Sequence, residues 1–365
     1  MTAILPSTPD AEPSGAIPAR MRAARFHVAE RALRVEEVAV PRPGPSEVLV
    51  RVMACGICLS DVHLMDGSLA TPLAAVTPGH EASGVVARVG EQVPRFWQAG
   101  QRVVMAGGRA CGVCANCARG RGEGACLAFE IMGFQYDGAW AEYVVVPYTA
   151  LTPIPPELPF EQAAILADAV STPYAGLVDR GGLRPGESVA LWGIGGLGVH
   201  AVQIARMVGA APIVAVDTLA AARERALRVG ADVALDPRAD DVPARIRELT
   251  GGLGVDLAVD LVGANAVLAQ AAASIGRYGR VVMIGLSPEP IHLGPGVLFG
   301  IRSQALLGHL GYRKEHLDQL VSIVGARRLD VSGSVSDVMP LDDVARGVER
   351  LARKEGNPIR LVVRP

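Results

Sequence analysis

The sequence predicts an α/β protein that combines a doubly wound parallel sheet with a second, mainly β domain. In the second half of the chain the apolar segments ESVALWG, PIVAVD, VDLAVDLVG and GRVVMIG alternate with Ala- and Arg-rich stretches of helical length. This alternation is typical of a parallel sheet with helices on both faces. From about Arg22 to Thr149, the runs EVLVRV, GVVARVG and AEYVVVP are separated by proline and glycine, which indicates strands of a barrel-like or sandwich-like unit. A length of 365 residues allows two such domains.

The composition excludes several classes of protein. Half of the residues are apolar and 20% are charged, so the chain is not of the disordered or collagen-like type. A formal net charge of -2, without a basic stripe, argues against a nucleic-acid partner. The chain has no uncharged apolar run of about 18 residues and no secretory signal. We therefore expect a cytoplasmic protein without a membrane span, and a flexible N-terminal extension over residues 1–21.

A glycine-rich turn follows the apolar segment ESVALW. Gly193, Gly195 and Gly198 have the spacing G-x-G-x-x-G, with Gly196 and Leu197 between them, and an amphipathic stretch follows. The first glycine allows a tight turn, the second lets the backbone approach a pyrophosphate, and the third lets helix and strand pack closely. The pattern predicts a dinucleotide at a helix N-terminus. The alternative is a glycine turn that binds nothing.

The next predicted strand suggests which dinucleotide is bound. PIVAVD ends at Asp217, 19 residues after Gly198. A carboxylate at this place accepts hydrogen bonds from both ribose hydroxyls and repels a 2′-phosphate, which favours NAD over NADP. Arg223 would weaken this preference if its side chain turned toward the ribose.

Four of the six cysteines form a compact array. Cys111, Cys114, Cys117 and Cys126 have the spacing C-x2-C-x2-C-x8-C. Four thiolates this close in sequence can enclose a structural Zn²⁺ with no open position for substrate. An iron–sulfur cluster is an alternative, but the ferredoxin pattern places its fourth cysteine after three residues and before a proline. An unmetallated or disulfide-bonded array is the remaining alternative.

Two further segments carry candidates for a catalytic metal. ACGICLSDVH contains Cys58, and TPGHEASG contains His80 followed by Glu81. A catalytic zinc needs three protein ligands and one exchangeable position. A histidine before a glutamate is by itself more often a polar turn, so the hypothesis depends on its combination with Cys58, the glycine turn and the cysteine array.

Seven separated motifs, taken together, resemble the zinc-containing alcohol dehydrogenases of the medium-chain dehydrogenase/reductase superfamily. They cover the chain from about Arg22 onward and are GICLSDVH, PGHEASGVV, the four-cysteine array, DGAWAEY, GIGGLG, VAVD and the final PIR. The resemblance implies a GroES-like catalytic domain over residues 22–167 and 309–365, including a structural zinc lobe at about 107–127. It implies a Rossmann NAD-binding domain over residues 168–308.

The resemblance also implies the ligands of the catalytic zinc. The first two family ligands fall on Cys58 and His80, while Asp61 and Glu81 fall on carboxylates that orient the ligands. Many relatives have cysteine as the third ligand, whereas Asp168 stands at the matching position here. Thiolate, neutral imidazole and carboxylate still sum to two negative charges. The alternatives are that Glu81 moves inward to bind the metal, or that Cys55 replaces Cys58; otherwise Cys55 is a buried apolar residue.

The function implied by the resemblance is reversible hydride transfer between an alcohol and NAD, with two zinc ions per chain. Ser60 and His63 match the family's proton relay, Thr172 a residue near the nicotinamide, and Arg360 one that pairs with the pyrophosphate. Gly107 replaces a side chain that is often bulky in relatives acting on small primary alcohols, so we expect a secondary or bulky substrate. In the lobe, eight residues precede the last cysteine, where the family usually has seven.

Two other functions remain open at this point. One is a zinc-free, NADPH-dependent quinone or enoyl reductase of the same superfamily, and the other is a non-catalytic NAD-binding scaffold. For the assembly, the resemblance implies a homotetramer or a homodimer that binds a small-molecule alcohol or carbonyl substrate.

Overall fold

The computed structural model describes residues 16–121 and 123–365. Residues 1–15, most of the predicted N-terminal extension, lie outside the described part of the chain. The predicted extension ends at residue 21, whereas the first strand already begins at Arg20, which lies opposite Ala39 of the second strand. Within the described residues, no helix combines the length and the apolar character needed to cross a bilayer.

The described residues form strands and helices throughout the chain. The strands are β1 Arg20–His27, β2 Ala32–Ala39, β3 Glu47–Ile57, β4 Ala75–Val76, β5 Ala82–Val89, β6 Arg102–Met105, β7 Gly108–Arg109, β8 Glu130–Ile131, β9 Tyr143–Pro147, β10 Leu151–Pro153, β11 Val189–Trp192, β12 Ile213–Val216, β13 Val233–Leu235, β14 Val255–Asp260, β15 Ile275–Met283, β16 Ala305–Gly308, β17 Val335–Pro340 and β18 Arg360–Arg364. The α-helices are α1 Leu59–Asp66, α2 Ala115–Ala118, α3 Phe160–Ile165, α4 Ser171–Tyr174, α5 Gly198–Val208, α6 Ala220–Arg228, α7 Val242–Leu249, α8 Asn265–Ser274, α9 Gly296–Ile301, α10 Lys314–Gly325 and α11 Val344–Ala352. Two π-helical turns, Leu166–Val170 and Ala175–Arg180, flank α4.

Contacts between Cα atoms divide the chain into two units. The first contains the described residues up to Ala167, with Val338–Glu349 and Leu361–Pro365, and the second contains Asp168–Asp337 and Arg350–Arg360. The sequence predicts the same end for the first segment, residue 167, but it predicts that the chain returns to the first unit at residue 309. In the structure α10 stays in the second unit, where its buried face includes Leu317 and Leu320.

The first unit is built on antiparallel strands. Its larger sheet has the order β10-β6-β5-β3-β18-β17, with β9 also paired to β3, and its smaller sheet has the order β2-β1-β4. β3 lies inside this sheet, paired with β5, β18 and β9, and most of its residues are buried. Burial of most of its side chains agrees with the apolar run EVLVRVMACGI.

The second unit contains the predicted parallel sheet. Its six strands have the order β13-β12-β11-β14-β15-β16, and every pair is parallel. All residues of β11 and β12 are buried, as expected for central strands covered by helices on both faces. Trp192, Val214, Ile246, Leu268 and Val281 are among the residues of its core. The fold class predicted from the sequence is therefore confirmed.

Candidate active site

The pairing of β3 with β5 brings together two segments that are distant in sequence. Cys55 lies opposite Ala82, and the backbone N–H of Gly56 donates to the carbonyl of Glu81 at 2.8 Å. β3 ends at Ile57 and β5 begins at Ala82. The antiparallel register therefore brings the ends that carry Cys58 and His80 to the same edge of the sheet.

Asp61 connects these two residues. Cys58 is the N-cap residue of α1, and its backbone N–H donates to Oδ2 of Asp61 at 2.8 Å. The other oxygen of Asp61, Oδ1, lies 3.5 Å from Nδ1 of His80. Burial opposes the charged form of His80, but the fully buried Asp61 carboxylate outweighs it and raises the histidine pKa. A carboxylate on one ring nitrogen fixes the ring, so that the other nitrogen can bind a metal.

Asp168 completes a set of four side chains at this edge. The hydroxyl of Ser83 on β5 donates to the carbonyl of Phe160 at 2.6 Å, which fixes the start of α3. The helical backbone continues from α3 into the first π-helical turn, which contains Asp168. Asp168 directly follows Ala167 in the chain, and Ala167 is the last residue of this segment of the first unit. One ligand atom from each member of the set lies within 4.8 Å of the others; the set is Cys58, His80, Glu81 and Asp168.

The donor set fits a divalent cation of the zinc type. It offers sulfur, nitrogen and oxygen, the three donors that zinc binds in proteins. Glu81 and the neighbouring Asp61 are fully buried, and burying several acidic groups together is costly unless a cation offsets their charge. Cys55 is not a member of the set. Burial and the carboxylates of Asp61 and Glu81 raise its pKa well above the usual thiol value, so it stays a neutral, apolar residue.

Asp168 is also held by residues of its own unit. The hydroxyl of Thr172, one helical turn later, donates to Oδ1 of Asp168 at 2.5 Å. The guanidinium of Arg360 lies 4.0 Å from Oδ2 and is almost completely buried. The carbonyl of Thr172 accepts a hydrogen bond from Nε2 of His309 at 3.1 Å. Two residues predicted near the cofactor, Thr172 and Arg360, therefore contact the predicted zinc ligand.

Ser60 and His63 lie on α1, three residues apart and therefore on the same side of the helix. Oγ of Ser60 lies 3.3 Å from Nε2 of His80, which places this hydroxyl beside the candidate metal ligands. The side chain of His63 is 39% exposed, and its Nδ1 lies 3.5 Å from the carboxylate of Asp66. Both residues are half-buried.

The four-cysteine lobe brings its sulfur atoms together. Each of Cys111, Cys114, Cys117 and Cys126 offers a sulfur atom within 4.8 Å of the other three, and all four are free thiols. Backbone N–H groups point at the sulfurs: that of Cys111 donates to Sγ of Cys126 at 3.2 Å, and that of Cys114 to Sγ of Cys111 at 3.3 Å. Such donors stabilise thiolates, and those of Leu127 and Cys117 lower the pKa of Cys114 to about 6.

The additional residue before the last cysteine does not open the lobe. A 3₁₀ turn, Glu123–Ala125, shortens the path to Cys126. The side-chain amide of Asn116 donates to the carbonyl of Ala125 at 2.7 Å and ties this turn back to α2. The array with its eight-residue spacing therefore still brings four sulfurs within reach of one ion.

The glycine turn has the geometry that its spacing predicts. Gly193 has a φ of +90°, and a Cβ on Gly198 would lie 2.0 Å from the carbonyl oxygen of Gly193, so both positions need glycine. A Cβ on Gly195 would meet no atom within 4 Å, so this position faces open space. A Cβ on Gly196 would lie 3.4 Å from the guanidinium carbon of Arg360, which puts a cation beside the turn.

Asp217, the predicted ribose carboxylate, directly follows β12 and contacts the glycine turn. Its Oδ2 accepts the backbone N–H of Ile194 in the glycine turn at 2.7 Å, and its Oδ1 accepts that of Leu219 at 2.8 Å. Arg223 donates to the carbonyl of Asp217 at 2.8 Å and forms an ion pair with Asp236 at 3.1 Å. Asp236 is not among the residues predicted from the sequence, although it follows β13 as Asp217 follows β12.

Gly107 lies against one of the candidate metal ligands. A Cβ at this position would be 2.8 Å from the carbonyl oxygen of His80 and 3.3 Å from its Cβ. Close packing against His80 is therefore a reason for glycine here that does not depend on the size of the substrate.

Comparison with known proteins identifies the class of protein that this fold and site define. The family model of the alcohol dehydrogenase GroES-like domain matches residues 44–156, and that of the zinc-binding dehydrogenases matches residues 196–325. An alcohol dehydrogenase of Geobacillus stearothermophilus is 34% identical over 341 residues, which cover 92% of this chain and 98% of the relative.

Solved structures agree with this class. An alcohol dehydrogenase from Thermus sp. ATN1 has a TM-score of 0.87 and 32% identity, and the match covers 94% of this chain and 99% of that one. A protein described as a zinc-binding dehydrogenase from Sinorhizobium meliloti 1021, bound to NADP, has a TM-score of 0.88 and 28% identity, with 95% and 100% covered. The chain belongs to the zinc-containing alcohol dehydrogenase family of the medium-chain dehydrogenase/reductase superfamily. It is an oxidoreductase of the alcohol dehydrogenase type.

Proposed function

We propose that the protein transfers a hydride reversibly between a secondary or bulky alcohol and NAD, at a catalytic zinc held by Cys58, His80 and Asp168. The observation that carries this proposal is the set of sulfur, nitrogen and oxygen donors within 4.8 Å of one another. Zinc supplies Lewis acidity when bound, which would lower the pKa of the substrate hydroxyl.

Glu81 has a supporting role in this proposal. Its carboxylate belongs to the same set of four, and its carbonyl joins β5 to β3. Three ligands with a fourth, exchangeable position are the usual arrangement of a catalytic zinc. With Cys58, His80 and Asp168 as the three ligands, Glu81 stays beside the metal and adjusts the charge of the site. Direct binding by Glu81 remains the alternative.

Ser60 and His63 carry the proton in this proposal. Ser60 would accept the proton that leaves the substrate hydroxyl, since its Oγ lies next to His80. It would pass its own proton to His63 by way of the nicotinamide ribose. His63 then passes the proton to solvent, because its ring is partly exposed and histidine is a common proton shuttle.

NAD rather than NADP is the proposed cofactor because of the charge at the end of β12. The Asp217 carboxylate is fixed by two backbone N–H groups and would repel a 2′-phosphate. The pyrophosphate would lie on the glycine turn, over Gly195, Gly196 and Leu197, with Arg360 as its counter-ion. A second zinc in the four-cysteine lobe would have only a structural role.

We also propose that the protein is a homodimer or a homotetramer. β16 is the last strand in the order of the parallel sheet, and α9, which precedes it, exposes Val297 and Ile301 to 66% and 61%. A second copy of this edge would extend the sheet and cover these apolar side chains. Native mass spectrometry tests the assembly: a Val297→Arg variant should shift the protein toward smaller species, and a monomeric wild-type protein would contradict the proposal.

A scan of alcohols with NAD⁺ tests the proposed reaction. The absorbance of the reduced cofactor should rise with secondary or bulky alcohols, and a chelator that removes zinc should abolish the rise. Activity only with NADPH and quinones or enones, unaffected by the chelator, would indicate a zinc-free reductase instead. Cofactor binding without turnover of any alcohol or carbonyl would indicate a scaffold.

A further inference from the structure

We infer that Asp236, through the two arginines that it binds, determines whether the protein accepts a 2′-phosphate on its dinucleotide. This inference rests on the proposed function, because it assumes that the adenosine ribose lies at Asp217.

Asp236 lies beside Asp217 at the carboxyl edge of the sheet. β12 and β13 are parallel neighbours, with Val216 opposite Leu235. Each strand is followed directly by an aspartate, and the backbone N–H of Asp217 donates to the carbonyl of Leu235 at 3.2 Å. Ligands of such sheets bind outside the carboxyl ends of the strands, so both carboxylates face the region where the adenosine would lie.

Asp236 binds two guanidinium groups. Nη1 of Arg223 lies 3.1 Å from Oδ2 of Asp236. Arg238 binds the same carboxylate with two nitrogens, Nε at 3.2 Å from Oδ1 and Nη2 at 3.1 Å from Oδ2. The backbone N–H of Arg238 adds a further hydrogen bond at 3.0 Å. These donors, the Arg238 side chain first, lower the pKa of Asp236 to about 2, so it is ionised at neutral pH.

The same two arginines also hold the turn that follows β12. Arg223 donates to the carbonyl of Asp217 at 2.8 Å, and Arg238 donates to the carbonyl of Thr218. Both guanidinium groups therefore lie next to the residue proposed to bind the ribose hydroxyls. The side chain of Arg223 is 21% exposed and that of Arg238 is 66% exposed, so solvent or a ligand can reach both.

The charges explain how Asp236 selects the cofactor. Arginine binds phosphate as readily as carboxylate, through the same planar donor geometry. While Asp236 is present, its carboxylate occupies donors of Arg223 and Arg238, and a 2′-phosphate would have to compete for them. Without that negative charge, the two cations would face the ribose with only Asp217 to offset them. Asp217 repels a 2′-phosphate directly, and Asp236 prevents the neighbouring arginines from compensating for that repulsion.

The test compares cofactor binding in Asp236→Asn and in Asp240→Asn. Asp240 accepts the backbone N–H of Asp236 at 2.8 Å, so it contacts the same segment, and its side chain is the matched control. NADH and NADPH are titrated against the zinc-loaded proteins by fluorescence, and 2′,5′-ADP is titrated by calorimetry. Asp236→Asn should raise the ratio of NADPH to NADH affinity at least about tenfold, the value of one charge-assisted hydrogen bond. Asp240→Asn should leave the ratio within about twofold.

An unchanged ratio in an Asp236→Asn protein that still binds NADH overturns the inference. A wild-type protein that binds neither dinucleotide overturns the proposed function itself, so the two failures are distinguishable. If Asp236→Asn does not fold, Arg238→Gln replaces it, because this exposed side chain is tolerant of change. Arg238→Gln should lower the residual affinity for 2′,5′-ADP without changing that for NADH, and equal 2′,5′-ADP affinity in both proteins overturns the inference.

Discussion

Asp168 is the residue on which the proposed metal site depends most. A carboxylate oxygen binds zinc at about 2.0–2.2 Å and a thiolate sulfur at about 2.3 Å, so aspartate can replace cysteine without a change in charge. The carboxylate also accepts the hydroxyl of Thr172 and lies near Arg360. Its position therefore couples the proposed metal ligand to residues that we expect to contact the cofactor.

Removal of a ligand should release one of two zinc ions. We expect Asp168→Ala and Cys58→Ala each to retain one zinc per chain, since the four-cysteine lobe is unaffected, and to lose alcohol oxidation. Cys55→Ala should retain both ions, because Cys55 lies three residues from Cys58 but outside the donor set. Native mass spectrometry measures the zinc content. Equal zinc in wild type and Asp168→Ala would show that another residue, with Glu81 the first candidate, is the third ligand.

Ser60→Ala should separate proton transfer from metal binding. The serine hydroxyl lies beside His80, but it is not a proposed ligand, so zinc content should not change. Loss of a relay group is expected to lower kcat about 10²-fold at neutral pH. Steady-state kinetics and zinc analysis on the same preparation test this, with the exposed Ser322→Ala as control. Unchanged kcat would remove Ser60 from the relay.

Among the elements, the turn from β11 into α5 shows how one motif serves both folding and binding. A Cβ on Gly198 would meet the carbonyl of Gly193, whereas a Cβ on Gly195 would meet nothing within 4 Å. The fold itself therefore requires glycine at position 198. At position 195 the absence of a side chain leaves space that a ligand can occupy.

Two substitutions in this turn should therefore affect different properties, one the stability of the protein and the other its binding of NADH. Gly198→Ala should destabilise the protein by about 1–3 kcal/mol through overpacking. Gly195→Ala should change the free energy of unfolding by less than about 0.5 kcal/mol, yet weaken NADH binding at least about tenfold, because the methyl group would occupy the pyrophosphate's place. Urea unfolding and NADH titration measure the two effects. Tight NADH binding by Gly195→Ala would contradict the proposed cofactor position.

The predicted elements differ in how well the sequence indicated them. The apolar segments ESVALWG, PIVAVD and VDLAVDLVG correspond to β11, β12 and β14, since buried parallel strands are continuous apolar runs. β13 and β16 are not among the predicted strands. They are the two edge strands of the sheet, and most of their residues are half-buried or exposed, so they lack the continuous buried pattern of the inner strands.

At the scale of the molecule, a buried histidine joins distant parts of the second unit. His200 and Ser334 are buried, and Nε2 of His200 lies 2.9 Å from the hydroxyl of Ser334. Nδ1 lies 2.8 Å from the carbonyl of Gly196. Because a carbonyl only accepts, Nδ1 carries the proton and Nε2 accepts the hydroxyl of Ser334. Burial, together with the nearby Arg360, lowers the pKa of His200 to about 4.

His200 should make the stability of the protein depend on pH. The pKa of His200 is about 6.5 in the unfolded chain and about 4 in the folded protein. Between these two pH values only the unfolded chain binds the proton. The stabilisation is complete above pH 6.5 and is lost as the pH falls toward 4, by on the order of 3 kcal/mol. His200→Asn, which keeps a donor for Gly196, should lose less stability between pH 7 and pH 4.5 in urea unfolding. The same loss in both proteins would contradict the assignment.

The fold class, the glycine turn and the four-cysteine array can be predicted from the amino-acid sequence, because their patterns involve residues close together in the chain. Cys58, His80 and Asp168 are predicted as ligands only through resemblance to a family. The distance of 4.8 Å or less between the donors of this set is visible only in the folded chain, since strand register and helix continuity determine it. The same is true of the binding of Asp236 to two arginines. Local patterns encode local geometry, whereas contacts between distant residues depend on how the whole chain packs.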